Sequence, residues 1–113
     1  MHELRIAEDL TQIVLETAKA SRLKKVTEVN VVFGQLVQIV PEIFEAAFSE
    51  CTRGTAANGS GVNIEIRPVR MKCRICGCDF NAQENRFVCQ CGSSDLEIIS
   101  GKELFIKSIE GEQ

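Results

Sequence analysis

A chain of 113 residues is long enough for a domain with its own buried core, and 44% hydrophobic and 26% charged residues exclude a disordered or fibrous chain. The formal net charge of −3 gives no global basic field of the kind that draws nucleic acid. Met1-His2-Glu3-Leu4-Arg5 lacks a cationic stretch followed by an apolar run, and no segment is apolar enough to span a bilayer, so a cytoplasmic protein with reduced thiols is expected.

The first element predicted is a helix from about Leu4 to Ala20, with Ile6, Leu10, Ile13, Val14 and Thr17 as its apolar stripe. Val26 to Phe33, rich in β-branched residues and closed by Gly34, reads as a strand. Val40-Pro41-Glu42 marks a second helix start, with proline in the first turn and an acid that the helix dipole favours. Phe44, Phe48 and Cys51 share one face of that helix, and Gly54 fits its stop. After the loop from Gly54 to Gly61, Val62, Ile64 and Ile66 alternate with Asn63, Glu65 and Arg67, the pattern of a half-buried strand that Pro68 ends or confines to an edge. Leu104 and Ile106 oppose Glu103 and Lys107 in a last strand. A lone exposed strand is unstable, so this one is expected to return to the first sheet. The fold class that follows is α+β, an α/β two-layer unit of two helices on a small sheet of about three strands. Residues 1–70 and 101–113 form that unit, and a zinc-ribbon-like module of residues 71–100 is inserted before the last strand.

Five of the six cysteines crowd into that insertion. Reduced thiols in such a cluster read as metal ligands before disulfides. Cys73-Arg74-Ile75-Cys76-Gly77 is a knuckle whose turn aims two sulfurs at one point, with glycine easing the backbone around them. Cys89-Gln90-Cys91-Gly92 is its partner, reached through a short hairpin carrying Phe80 and Phe87. Four thiolates in tetrahedral array favour zinc. The second knuckle is CxC, so Cys78 stays open as an alternative zinc ligand and is otherwise a free thiol. Cys51 reads as a small apolar residue on a core helix face. Arg70, Lys72, Arg74 and Arg86 are expected to ring the cluster and favour thiolate. The same run lacks the aromatic platforms of a single-strand binder.

The single histidine is His2. The α-amine of Met1, the amide nitrogen of His2 and its imidazole can close fused chelate rings around an ion that favours square-planar nitrogen ligation, Cu(II) or Ni(II). Glu3 adds a carboxylate, and also suits the first turn of a helix as an acid.

Met1-His2-Glu3 at the N-terminus, the CxxCG knuckle, a second knuckle followed by Gly-Ser, and Gly101-Lys102-Glu103-Leu104-Phe105-Ile106-Lys107-Ser108-Ile109-Glu110 together resemble the HypA/HybF family of hydrogenase nickel-incorporation proteins over essentially the whole chain. The resemblance implies a nickel metallochaperone for [NiFe]-hydrogenase maturation, not an enzyme. It implies Ni(II) as transient cargo at Met1, His2 and Glu3, and structural Zn(II) at Cys73, Cys76, Cys89 and Cys91. The partners it implies are the GTPase HypB and the hydrogenase large-subunit precursor, with neither nucleic acid nor membrane, for a monomer or weak homodimer. The family's second knuckle is usually CxxC; the one here is a residue shorter. From the residues alone, two competitors are a zinc-ribbon interaction module in which His2 is incidental and a rubredoxin-like iron electron carrier. A catalytic zinc enzyme would need an open coordination position and a general base that these motifs do not supply.

Overall fold

The computed structural model describes residues 2–82 and 87–113. In chain order these form α1 (His2–Ala20), β1 (Lys25–Gly34), a short 3-10 turn (Gln35–Val37), α2 (Pro41–Thr52), β2 (Gly61–Arg67), β3 (Arg70–Cys73), β4 (Asp79–Asn81), β5 (Leu96–Ser100) and β6 (Leu104–Glu112). The strands make two three-stranded sheets, ordered β2-β1-β6 and β4-β3-β5. The α+β class holds, and the last strand does return to the first sheet, beside β1. Pro68, expected to end β2 or place it at an edge, follows the strand's last residue Arg67, and β2 is an edge strand.

The chain divides into two compact units: residues 1–32, 39–65 and 105–113, and residues 33–38 and 66–104. In the first, α1 packs on α2. The face of α1 that is buried comprises Glu3, Ala7, Leu10, Thr11, Val14 and Ala18. This corrects the stripe expected from hydrophobicity: Leu10 and Val14 are in it, but Ile13 is 48% exposed and Thr17 is exposed. Ala7 and Ala18 belong to the buried face, at 0% and 2% exposure, while the larger Ile13 lies off it. On α2 the buried face is Phe44, Phe48 and Thr52, with the two rings stacked at 5.7 Å. Thr11 and Thr52 donate their hydroxyls to the carbonyls of Ala7 and Phe48, so neither brings an unpaired donor into the core. Cys51 is only partly buried; burial and the neighbouring Glu8 carboxylate push its thiol pKa up, which suits an inert core-edge residue. One face of β1 is buried through Val29 and Val31, while Glu28 and Asn30 line a polar face with Asn63 and Ser108.

The second unit is a small sheet around the cysteines. β3 pairs antiparallel with β4 (Met71 opposite Phe80) and with β5 (Cys73 opposite Leu96). The hairpin expected through Phe80 and Phe87 exists in part: Phe80 lies in β4, but Phe87 is outside any strand. β5 completes the sheet instead. Gly34 and Gly101 meet backbone to backbone in this unit: a Cβ on Gly34 would fall 2.1 Å from the carbonyl of Gly101, and Gly101 itself has φ +115°.

Candidate metal centre

The first knuckle begins where β3 ends. After Cys73, the Cys76 N–H donates to the Cys73 sulfur at 3.4 Å and the Gly77 N–H to the Cys73 carbonyl at 2.9 Å. Gly77, at φ +78°, then turns the chain so that Cys73 donates its own N–H to the Cys78 carbonyl at 2.9 Å. The second knuckle closes on Gly92, at φ +91°, whose N–H donates to the Cys89 carbonyl. Both glycines therefore stand where left-handed backbone is required.

These turns bring the Cys73, Cys76, Cys89 and Cys91 sulfurs within 4.8 Å of one another. Cys73 and Cys91 are 3.7 Å apart, and Cys76 and Cys89 3.4 Å. A tetrahedral zinc with bonds near 2.3 Å has sulfur–sulfur edges of about 3.8 Å, so the four residues can close on such an ion with shifts of no more than about 1 Å. The one-residue shortening of the second knuckle does not prevent closure. The four-sulfur group does not include Cys78, which is exposed beside it.

Backbone amides, burial and the neighbouring sulfurs together shift the cluster's thiols. The Cys76 N–H, with a smaller contribution from Ile75, holds the Cys73 thiol down to about 6 against the effect of burial. The Cys78 N–H and the Cys89 thiol likewise lower Cys76. The Cys91 N–H also favours the Cys89 thiolate, but burial and the neighbouring sulfurs win and push that thiol up to about 12. Metal binding must therefore expel protons, Cys89's among them. Of the basic residues expected around the cluster, two are paired with aspartates. Arg70 of β3 pairs with Asp79 of β4 at 3.7 Å, and Arg74, just past β3, pairs with Asp95, just before β5, at 3.1 Å. Arg86 lies outside the described residues.

Of the N-terminal candidates, Met1 and the His2 side chain lie outside the described residues. Glu3 is buried, in the first turn of α1. Its Oε2 accepts the Val40 N–H at 3.0 Å. Val40 is the N-cap of α2 and has no capping side chain of its own, and Pro41 follows it without a donor. A carboxylate from α1 thus does for α2 what a capping-box glutamate does within one helix. That bond, first among several, holds the Glu3 carboxyl below the usual 4.5. A lowered carboxyl stabilises the fold fully above its unfolded value and loses that contribution as pH falls through the folded one. Glu3→Gln is accordingly expected to lower Tm by about 2–5 °C at neutral pH, a gap that closes as pH drops below 4.5, checked by thermal circular dichroism across pH. A gap of constant size down to acid pH would show that the charge is idle.

A family profile described as hydrogenase/urease nickel incorporation, metallochaperone, hypA, matches residues 1–111. The chain belongs to the HypA family. The hydrogenase maturation factor HypA of Nostoc sp. is 37% identical over 113 residues, covering 100% of this chain and 97% of its own. That of Dehalococcoides mccartyi (strain CBDB1) is 33% identical over 111 residues, covering 97% and 93%. The solution structure of the Ni metallochaperone HypA from Helicobacter pylori shares the fold, with a TM-score of 0.69 at 23% identity over 97% of each chain. As a HypA protein this chain is a hydrogenase nickel-incorporation metallochaperone with a cysteine cluster suited to zinc.

Two residues in this HypA chain have roles that periodicity did not reveal. Val40 matters for its amide; the available signal was a helix start with proline at its first position and no capping side chain. Glu103, in the closing Gly-Lys-Glu-Leu run, accepts the Gly101 N–H at 2.7 Å and faces Arg67 at 3.9 Å. It holds the turn that admits Gly34 against Gly101.

Proposed function

We propose that this protein carries Ni(II) at Met1, His2 and Glu3 and delivers it to the [NiFe]-hydrogenase large-subunit precursor together with the GTPase HypB, and that Cys73, Cys76, Cys89 and Cys91 hold a structural Zn(II). The observation that carries the division of labour is the closed four-sulfur group, in which every position of a tetrahedron is met by protein. Zinc bound there holds the module's shape; a closed thiolate site is poorly suited to handing on a cargo. The family's nickel function then needs a second set of donors, and the amine, amide and imidazole nitrogens at residues 1 and 2 form the set that square-planar nickel favours. A site at a chain end admits the ligands of a receiving protein without unfolding the carrier. Glu3 supports this site by position: with its carboxylate on Val40, it anchors the turn of α1 that bears the nitrogen donors. The work is carriage and not turnover, so the protein is not an enzyme; it acts in the cytoplasm as a monomer or weak homodimer.

Calorimetric titration of untagged protein with nickel tests the proposal. His2→Ala should weaken binding about tenfold or more, since removing the imidazole opens a chelate ring. Extension of the N-terminus should weaken it comparably by blocking the amine. Equal affinity in wild type and His2→Ala would refute the site.

A further inference from the structure

The four ligands of the sulfur site are not equivalent. Cys73 and Cys89 are buried, at 0% and 5% exposure, whereas Cys76 and Cys91 reach solvent. Beside Cys76, and outside the four-sulfur group, stands a fifth thiol. Cys78 lines the same cleft of about 380 Å³ as Cys76, Cys89 and Cys91. Its N–H donates to the Cys76 sulfur, and its thiol meets that of Cys76 as well. The position is fixed from both sides, by the Cys73 N–H on the Cys78 carbonyl and by Asp79, the first residue of β4, pairing with Lys72. Asp79 also lines this cleft, but its carboxylate is taken by Arg70. Cys78 is therefore the additional donor that the cleft offers to an ion at its floor.

We propose that Cys78 is a reserve ligand that takes the place of Cys76 in the zinc site. The exchange is balanced without a redox partner. The Cys78 thiol loses its proton to water and bonds the ion, while the bond to Cys76 breaks and Cys76 takes up a proton. The number of thiolates, and so the charge of the site, is unchanged. Gly77 stands between the two cysteines in the chain, with open space where a Cβ would be, so no side chain separates their thiols. Cys76-Gly77-Cys78 also repeats the one-residue spacing of Cys89-Gln90-Cys91, which already closes on one centre. Neither buried ligand has such a neighbour among the described residues. The consequence is a zinc module whose exposed first-knuckle cysteine can be lost or blocked without loss of the ion.

The inference rests on the zinc assignment above, and cobalt substitution separates the two. Purified full-length wild type, Cys78→Ser, Cys76→Ser, the double variant and Cys89→Ser are loaded with Co(II), and thiolate-to-cobalt charge-transfer absorption is read together with affinity. Wild type should give a four-thiolate spectrum; if it does not, the four-cysteine zinc assignment itself falls. Cys78→Ser should match wild type, because Cys78 is held in reserve. Cys76→Ser should keep four-thiolate absorption with affinity within a few-fold of wild type. The double variant and Cys89→Ser should each lose one thiolate's share of intensity and bind at least about tenfold more weakly. A Cys76→Ser protein that already shows the three-thiolate spectrum, or that fails to fold with metal, overturns the proposal. So does loss of a thiolate in Cys78→Ser, which would make Cys78 a resident ligand.

Discussion

Removing the metal, by chelation or by Cys73→Ser, is expected to unfold the second unit as a whole while α1 and α2 persist. That unit, residues 33–38 and 66–104, is small, and the buried apolar side chains among its described residues are Phe33, Val69, Met71, Cys73 and Cys89, two of them candidate ligands. Ile75, Phe87, Val88, Ile98 and Ile99 are exposed and add little. A core of this size does not offset the entropy of ordering some forty residues, which is why domains in this range depend on staples. A structural zinc supplies an apparent binding free energy of about 10–16 kcal/mol at neutral pH, more than enough to decide the outcome. The first unit keeps its own core of Ala7, Leu10, Val14, Val29, Val31, Phe44 and Phe48. Amide spectra before and after metal removal should therefore show collapse of dispersion for residues of β3, β4 and β5, with helical circular dichroism retained. A spectrum unchanged after complete removal would mean that hydrogen bonding alone holds the module. Because the Cys89 thiol is pushed up to about 12 and must lose its proton on binding, apparent zinc affinity should fall as pH falls. Metal analysis on the same samples separates zinc from the iron that a rubredoxin-like carrier would hold.

The parts of the molecule that could be read in advance are those with a local cause. Alternation at Val62, Ile64 and Ile66, the proline-marked start at Pro41 and the two knuckles each announce themselves within a few residues. The return of β6 was legible for a less local reason: an amphipathic strand after an insertion needs a sheet to join. What escaped depends on contacts between distant positions. The buried face of α1 takes in Ala7 and Ala18 and leaves Ile13 out, although hydrophobicity ranks Ile13 above both. β3, β4 and β5 have four, three and five residues, too short for periodicity to register. Arg70 and Arg74 read as a rim around an anionic cluster, yet each pairs with an aspartate, Asp79 and Asp95. Glu3 and Val40 are 37 positions apart, and no local pattern joins them. The metal centre was more legible than the fold of its own module, because ligand chemistry restricts residue type while short strands do not.

Gly34→Ala is expected to be among the most damaging single substitutions in the chain, although alanine is normally a mild change and Gly34 has an ordinary extended backbone (φ −74°, ψ 149°). The difficulty is space. The added methyl would lie 2.1 Å from the Gly101 carbonyl carbon and oxygen and 2.5 Å from the Lys102 nitrogen. Carbon contacts are comfortable at about 3.5–4.0 Å, so more than 1 Å must be found, and the obstacle is backbone, not a side chain that can rotate away. The Gly101 segment cannot simply retreat. Gly34 donates its N–H to the Glu103 carbonyl at 2.7 Å, Leu36 donates to the Gly101 carbonyl at 2.8 Å, and Glu103 holds the Gly101 N–H. On its far side Gly101 already approaches the Val69 Cα so closely that even its own Cβ would sit 3.0 Å from that atom. Relieving the clash therefore breaks at least one of these buried bonds. Overpacking and lost hydrogen bonds together cost about 3 kcal/mol or more, which for a chain of this size lowers Tm by about 10 °C or more. Thermal unfolding of the zinc-loaded protein measures it, and a shift under 2 °C would show that the two segments separate freely. Because Gly34 and Gly101 are in the unit that carries the cysteines, the substitution should also weaken zinc retention, whereas a defect confined to the helices would leave zinc retention unchanged.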